Sequence, residues 1–164
     1  MDVAAEHTFL FADLVGYTAF TERVGDEAAA DVAVSFQNAA AHLAADHGCE
    51  VVKNLGDAVM IHGRDAAKVV AMAVRLRDEL CHEGWCPPLR MGLHSGPAVH
   101  RDGDWYGSTV NVAARLADSA AGGEILMSLT TRDRLVTRRG LTVAARGPRS
   151  FKNVTAPLAV FAAA

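Results

Sequence analysis

What the sequence lacks narrows it first. No apolar run approaches the ~20 residues needed to cross a bilayer, and Asp2 and Glu6 make the first residues a poor secretory leader. Basic charge is not in excess. Sixteen Lys and Arg stand against 19 Asp and Glu, a net charge of −3, so no positive field draws the chain to nucleic acid. Cysteine is scarce: Cys49, Cys81 and Cys86 are an odd number without metal-site spacing, as expected of incidental thiols in a reducing compartment. The seven histidines form no metal-binding pattern. Alanine enrichment apart, no repeat or low-complexity linker divides the chain. These absences leave a soluble cytoplasmic domain. With 164 residues, 51% of them hydrophobic, residues 1–164 suffice for a single domain with its own core.

What is present reads as alternating strands and helices. His7 to Ala12 is a short apolar run suited to a buried strand, broken by Gly16. A long helix is expected after Asp26 as N-cap, with Val32, Phe36, Ala40 and Leu43 at helical spacing and Gly48 as the C′ glycine. Glu50–Val52 and Ala58–Ile61 read as a hairpin around Lys53–Asp57. Asp65 caps a second helix with Ala66, Val70, Ala73 and Leu80 on its apolar face, and Pro87-Pro88 ends that region. Leu89–His94 is strand-like, Asp102-Gly103-Asp104 a turn, Ser108–Ala117 a helix stopped at Gly122-Gly123. Glu124–Met127 is a strand, Thr130–Arg138 a short helix, and Leu141–Ala145 and Leu158–Phe161 close the series. This order predicts an α+β sandwich of helices against a mostly antiparallel sheet.

Three segments have the residue types for chemistry. In Phe11-Ala12-Asp13-Leu14-Val15-Gly16-Tyr17-Thr18, an apolar strand delivers one carboxylate, then a glycine turn opens a helix. Such a turn aims backbone N–H groups at phosphate while the carboxylate holds a divalent cation, although an ordinary Asp beside a turn has the same look. In Lys53-Asn54-Leu55-Gly56-Asp57, Gly56 permits a tight turn that sets Asp57 at the start of a strand. Asp13 and Asp57 converge if their strands are neighbours, and two carboxylates on a pair of Mg²⁺ ions bind triphosphate in many phosphoryl-transfer enzymes; a solvated hairpin is the plainer alternative. In Asp104-Trp105-Tyr106-Gly107-Ser108-Thr109-Val110-Asn111-Val112-Ala113-Ala114-Arg115, a helix puts Asn111 and Arg115 on one face. Arg can neutralise a reacting phosphate and Asn can orient a sugar, unless the pair is a solvated polar stripe.

Together, in order and spacing, these segments resemble the class III nucleotidyl cyclases over nearly the whole chain from about Thr8. The resemblance implies a ferredoxin-like or palm-type sandwich. It also implies conversion of ATP to 3′,5′-cyclic AMP and pyrophosphate, in two composite sites of a homodimer. It assigns two divalent cations, Mg²⁺ or Mn²⁺, to Asp13 and Asp57 with the adjoining Leu14. Val15, Gly16, Tyr17 and Thr18 would wrap the phosphates. Lys53 and Asp104 would read the adenine: Lys donates to ring N1 and Asp accepts from the 6-amino group, whereas guanine inverts both edges. Guanylyl cyclases of the family often carry Glu and Cys there. Asn111 and Arg115 would stabilise the transition state. Lys152, in Ser150-Phe151-Lys152-Asn153, and Arg101 are further phosphate candidates, and the short stretch from Val99 to Gly103 resembles the subgroup with an abbreviated dimerisation arm. A guanylyl cyclase, or a silent nucleotide-binding module of the same fold, is the alternative.

Some resemblances lead elsewhere. Gly122-Gly123-Glu124-Ile125 resembles part of the diguanylate cyclase signature, but it follows the Asn111/Arg115 helix and reads as a helix stop before a strand. His94-Ser95-Gly96 reads as a strand-end turn, not a nucleophile, and Trp85 and Trp105 as packing residues.

Overall fold

A computed structural model of the chain describes residues 6–81, 86–135 and 140–164. The elements in chain order are β1 (His7–Leu14), α1 (Tyr17–Val24), α2 (Asp26–Asp46), β2 (Glu50–Asn54), β3 (Ala58–Gly63), α3 (Ala66–Cys81) and β4 (Leu89–Gly96). Then come β5 (Val99–Arg101), β6 (Asp104–Tyr106), α4 (Ser108–Ser119), β7 (Ile125–Ser128), α5 (Leu129–Asp133), β8 (Val143–Arg149) and β9 (Leu158–Ala163). Seven strands form one sheet in the order β2-β3-β1-β4-β7-β9-β8, and β5-β6 form a separate ribbon. Among the described residues, only the β4–β7 pairing of the large sheet is parallel. The first four strands, in order β2-β3-β1-β4 with helices after β1 and β3, make the β-α-β-β-α-β ferredoxin-like unit. The mostly antiparallel α+β sandwich expected from the sequence is the fold.

β1 is apolar because it is paired on both edges and covered on both faces. Leu10, Ala12 and Leu14 join Phe36, Leu43, Val70 and Leu76 of α2 and α3 in the main core. Alternation turns Phe9 the other way, where it packs with Met60 and with Val110 and Ala113 of α4. That same alternation sends Asp13 to the α4 side. The helix comes very close to the sheet at Gly92: a Cβ there would lie 2.1 Å from the Ala117 backbone nitrogen, so only glycine fits.

Several local expectations change. Asp26 is the first residue of α2, not its cap; Gly25 takes the cap position without a side-chain hydrogen bond, and Asp26 places its charge in the first turn, where the helix dipole favours it. Asp65 does cap α3, its Oδ1 accepting from the N–H groups of Ala67 and Lys68. Gly48 follows α2 at φ 66°, as a C′ glycine does. Lys53 and Asn54 belong to β2, past a bulge between Val51 and Lys53. His94, Ser95 and Gly96 lie inside β4, paired to β1, not in a turn; Ser95 Oγ bonds Thr8 Oγ1 and Thr131 Oγ1 at 2.8 and 2.9 Å. α5 spans only five residues, Leu129–Asp133, ending at the Arg134 C-cap short of the expected Arg138; residues 136–138 and Trp85 lie outside the described residues. β8 begins at Val143 and runs to Arg149.

Candidate active site

The hairpin β2–β3 and strand β1 bring the two aspartates together. The β1 and β3 strands are neighbours, with Asp13 opposite Ala58, and the Leu14 N–H donates to the Asp57 carbonyl at 2.9 Å. Gly56, at φ 80°, makes the turn before Asp57, and Gln37 of α2 holds it by donating to the Gly56 carbonyl at 2.8 Å. Leu14 itself has only main-chain atoms to offer a cation.

A residue that sequence reading passed over completes this corner. Arg90 stands opposite Asp13 on β4, and its Nε and Nη2 donate to Asp13 Oδ2 at 3.0 and 2.8 Å. Its Nη1 reaches the Asp118 carbonyl at the end of α4, 3.2 Å away. A lone cation in the apolar strand LRMGLHSG was the signal available. Asp13 nevertheless has its carboxyl pushed above the usual range, first by burial and also by the Asp57 and Asp118 charges, against the pull of Arg90. In this corner one guanidinium, that of Arg90, faces the carboxylates of Asp13, Asp57 and Asp118. Its oxygen donors suit a hard divalent cation. Among the described residues no three His, Cys, Asp or Glu side chains gather as a metal cage.

The segment after β1 begins α1. Gly16 sits at φ 68° as its N-cap with no side-chain cap, so the first-turn N–H groups are not capped by a side chain. The Val15 N–H is taken by the Pro88 carbonyl at 2.8 Å. Tyr17 turns inward and donates its hydroxyl to the Ala29 carbonyl at 2.8 Å, while Thr18 is exposed.

Lys53 and Asp104, 51 positions apart, meet at 2.8 Å between Nζ and Oδ2. The bulge in β2 re-aims its strand just before Lys53. Asp104 opens β6 after a two-residue Asp102-Gly103 loop with φ of 52° and 77°, the positive values of a type I′ hairpin. Its other oxygen accepts the Trp105 N–H at 2.8 Å. These hydrogen bonds, Lys53 first, hold its carboxyl below the ordinary carboxylate range. Arg101 pairs with Asp104 across the ribbon and is exposed, its guanidinium donating to the His100 carbonyl.

Asn111 and Arg115 lie on the side of α4 away from the buried Val110, Ala113 and Ala117. With Lys152, Asn153 and Thr155 they line an open cleft of about 460 Å³. Lys152 is thereby placed beside the Asn111/Arg115 pair. Asp13, Asp57, Lys53, Asp104 and Arg101 do not line this cleft.

Comparison with known proteins identifies the family. The model of the adenylate and guanylate cyclase catalytic domain matches residues 2–161. An adenylate cyclase of Streptomyces coelicolor is 35% identical over 129 residues, 79% of this chain and 34% of that protein. A pH-sensitive adenylate cyclase of Mycobacterium tuberculosis is 34% identical over 161 residues, 96% of this chain and 40% of that one. The chain thus spans little more than a third of these relatives' length. Among solved structures, the adenylyl cyclase CyaB from P. aeruginosa superposes with a TM-score of 0.84 at 24% identity, covering 97% of this chain and 93% of that one. By its sequence and its fold, this chain belongs to the adenylate and guanylate cyclase catalytic domain family.

Proposed function

We propose that the chain is an adenylyl cyclase domain, converting ATP to 3′,5′-cyclic AMP and pyrophosphate in the cytoplasm at two sites shared by a homodimer. The observation that carries the adenine preference is the Lys53–Asp104 pair, a donor beside an acceptor. Lys53 Nζ can donate to adenine N1 and Asp104 can accept from the 6-amino group; guanine presents the opposite pattern at both atoms.

Asp13 and Asp57 would hold the two divalent cations, Mg²⁺ or Mn²⁺, with the Leu14 carbonyl and the nucleotide's own phosphates completing the coordination. When bound, these cations lower the pKa of the 3′-hydroxyl and neutralise triphosphate charge. The Gly16–Thr18 turn offers N–H groups to the phosphates, and Lys152 adds a charge. Asn111 orients the ribose, and Arg115 neutralises charge on the α-phosphate as the new O3′–P bond forms and the bond to pyrophosphate breaks. Arg101 has the weaker claim, since its side chain points along its own ribbon.

The separation of the groups in one chain supports a shared site: Asn111, Arg115 and Lys152 share a cleft that neither metal aspartate lines. The partner's copy would supply what each chain lacks, and exposed Leu55, Val99 and Tyr106 around the Lys53–Asp104 pair suit contact with a second chain. The first test is cyclic nucleotide release from ATP and from GTP with Mn²⁺ or Mg²⁺; product from ATP is expected, and predominant turnover of GTP, or none of either, overturns the reading. The second mixes inactive Asp57→Ala with inactive Arg115→Ala. In a mixed dimer one site collects both lesions and the other none, so random exchange should restore about a quarter of wild-type sites. Mixed dimers seen by native mass measurement without activity would refute the shared site.

A further inference from the structure

The β5–β6 ribbon carries Asp104, yet among the described residues its two three-residue strands pair only with each other. A two-stranded ribbon is marginal in water, so side chains must fix where Asp104 stands. The exposed Lys53–Asp104 ion pair is a weak tie by itself. The adjacent Trp105 is a better one. Its rings stack on His62 at 4.3 Å and 25°, lie 4.5 Å from His7, and meet Phe9 edge-on at 5.6 Å.

That platform is itself locked. His7 Nδ1 and His62 Nε2 are 2.8 Å apart, and His62 Nδ1 is 2.9 Å from Glu50 Oε1. Both histidines are buried on the strands β1 and β3 of the large sheet. A ring bonded at both nitrogens cannot swing, so His62 presents one fixed face to the indole. The main chain of the same residue, Trp105, donates its N–H to Asp104 Oδ1 at 2.8 Å. A continuous set of contacts therefore runs from Glu50 through His62 and Trp105 to the Asp104 carboxylate.

We propose that Trp105, seated on the His7–His62 pair, is the positioning residue that sets Asp104 against Lys53 and so fixes the preference for adenine over guanine. This rests on the reading of Lys53 and Asp104 as the base readers. Trp105 and His62 act through Asp104. A purely structural role would reduce the amount of active enzyme and slow both nucleotides alike, leaving the ratio of kcat/KM for ATP to that for GTP unchanged.

The experiment measures that ratio in the wild type, Asp104→Ala, Trp105→Ala, Trp105→Phe, His62→Ala and the double variant Asp104→Ala/Trp105→Ala. Trp105→Ala is expected to lower the ATP:GTP ratio about tenfold, the scale of one misplaced hydrogen bond. Trp105→Phe should recover most of it, and His62→Ala should lower it less. In the Asp104→Ala background, Trp105→Ala should change the ratio no further, because the two residues act as one unit. If Trp105→Ala yields no folded protein, Trp105→Leu and His62→Ala carry the same comparison. A ratio that moves with Asp104→Ala but stays within about twofold of wild type in the Trp105 and His62 variants overturns this inference alone. A ratio that ignores Asp104→Ala overturns the base-reading assignment, and the inference falls with it.

Discussion

Asp13 and Asp104 are held in opposite ways. Asp13 stands on β1, hydrogen-bonded along one edge to β3 and along the other to β4, with Arg90 on its carboxylate. Asp104 begins a three-residue strand in a ribbon outside the large sheet, steadied by Lys53 and by Trp105. A residue on a doubly paired strand can move only if the sheet moves. A residue on a clipped ribbon can shift by a repacking of side chains. Asp13 thus stands on rigid ground, whereas Asp104 stands where small changes can shift it.

The most drastic way to break the rigid side is Asp13→Ala or Asp57→Ala. Each is expected to cut cyclic AMP formation by at least ~10³-fold, the scale of losing a principal electrostatic element of a site. Circular dichroism should show the fold retained, and substantial turnover in either folded variant refutes the assignment.

Gly92→Ala attacks the packing of that same ground. The new methyl would collide with the backbone of α4 at Ala117 and Ala113. Backbone cannot step aside as a side chain tip does, so a loss of about 3 kcal/mol is expected, the upper end for overpacking. Urea denaturation measures it, and an unchanged midpoint would mean that α4 is not seated as described.

Lys53→Glu with Asp104→Cys retunes the clipped side. Hydrogen-bond mismatch with adenine should cost ~1–3 kcal/mol in kcat/KM for ATP and raise relative use of GTP. The switch should be partial, since pocket shape also contributes. An unchanged ATP:GTP ratio in a folded, active variant counts against both residues as readers.

The smallest effect sharpens the contrast through pH. His94, on β4 with its Nδ1 2.6 Å from Ser128 Oγ, has its pKa pushed down to about 4, by burial first and then by the Arg134 charge. The unfolded chain titrates near the ordinary value of about 6.5. Between these values the unfolded state binds more protons, so stability is fully present above about 6.5 and falls as pH drops towards 4. His7 and His62 are lowered too, again chiefly by burial, and share the sign. His94→Gln should therefore flatten, without abolishing, the fall in Tm between pH 7.5 and 5; a slope equal to wild type would refute a half-buried, neutral His94.

Much of this was legible in one dimension because it is local. The apolar run of β1, the spacing of Val32, Phe36, Ala40 and Leu43, the Asp65 cap and the Asp102-Gly103 turn each depend on neighbours a few residues away. Asn111 and Arg115 share a face because a helix of 3.6 residues per turn requires it. The sequence by itself also carried the ordered motifs that mark the family. Only the tertiary structure decided what depends on strand order. It put Arg90 on Asp13 because β4 lies beside β1, 77 positions away in the chain. It made Gly92 the seat of α4 and drew Lys53 to Asp104. Above all, it gathered His7, His62 and Trp105, which show no spacing pattern since they come from three strands in two sheets. Periodicity reports which way a side chain points; which partner it meets there is set by how the strands pair, and the chain closes those long loops for the summed burial of the core, not for any one contact.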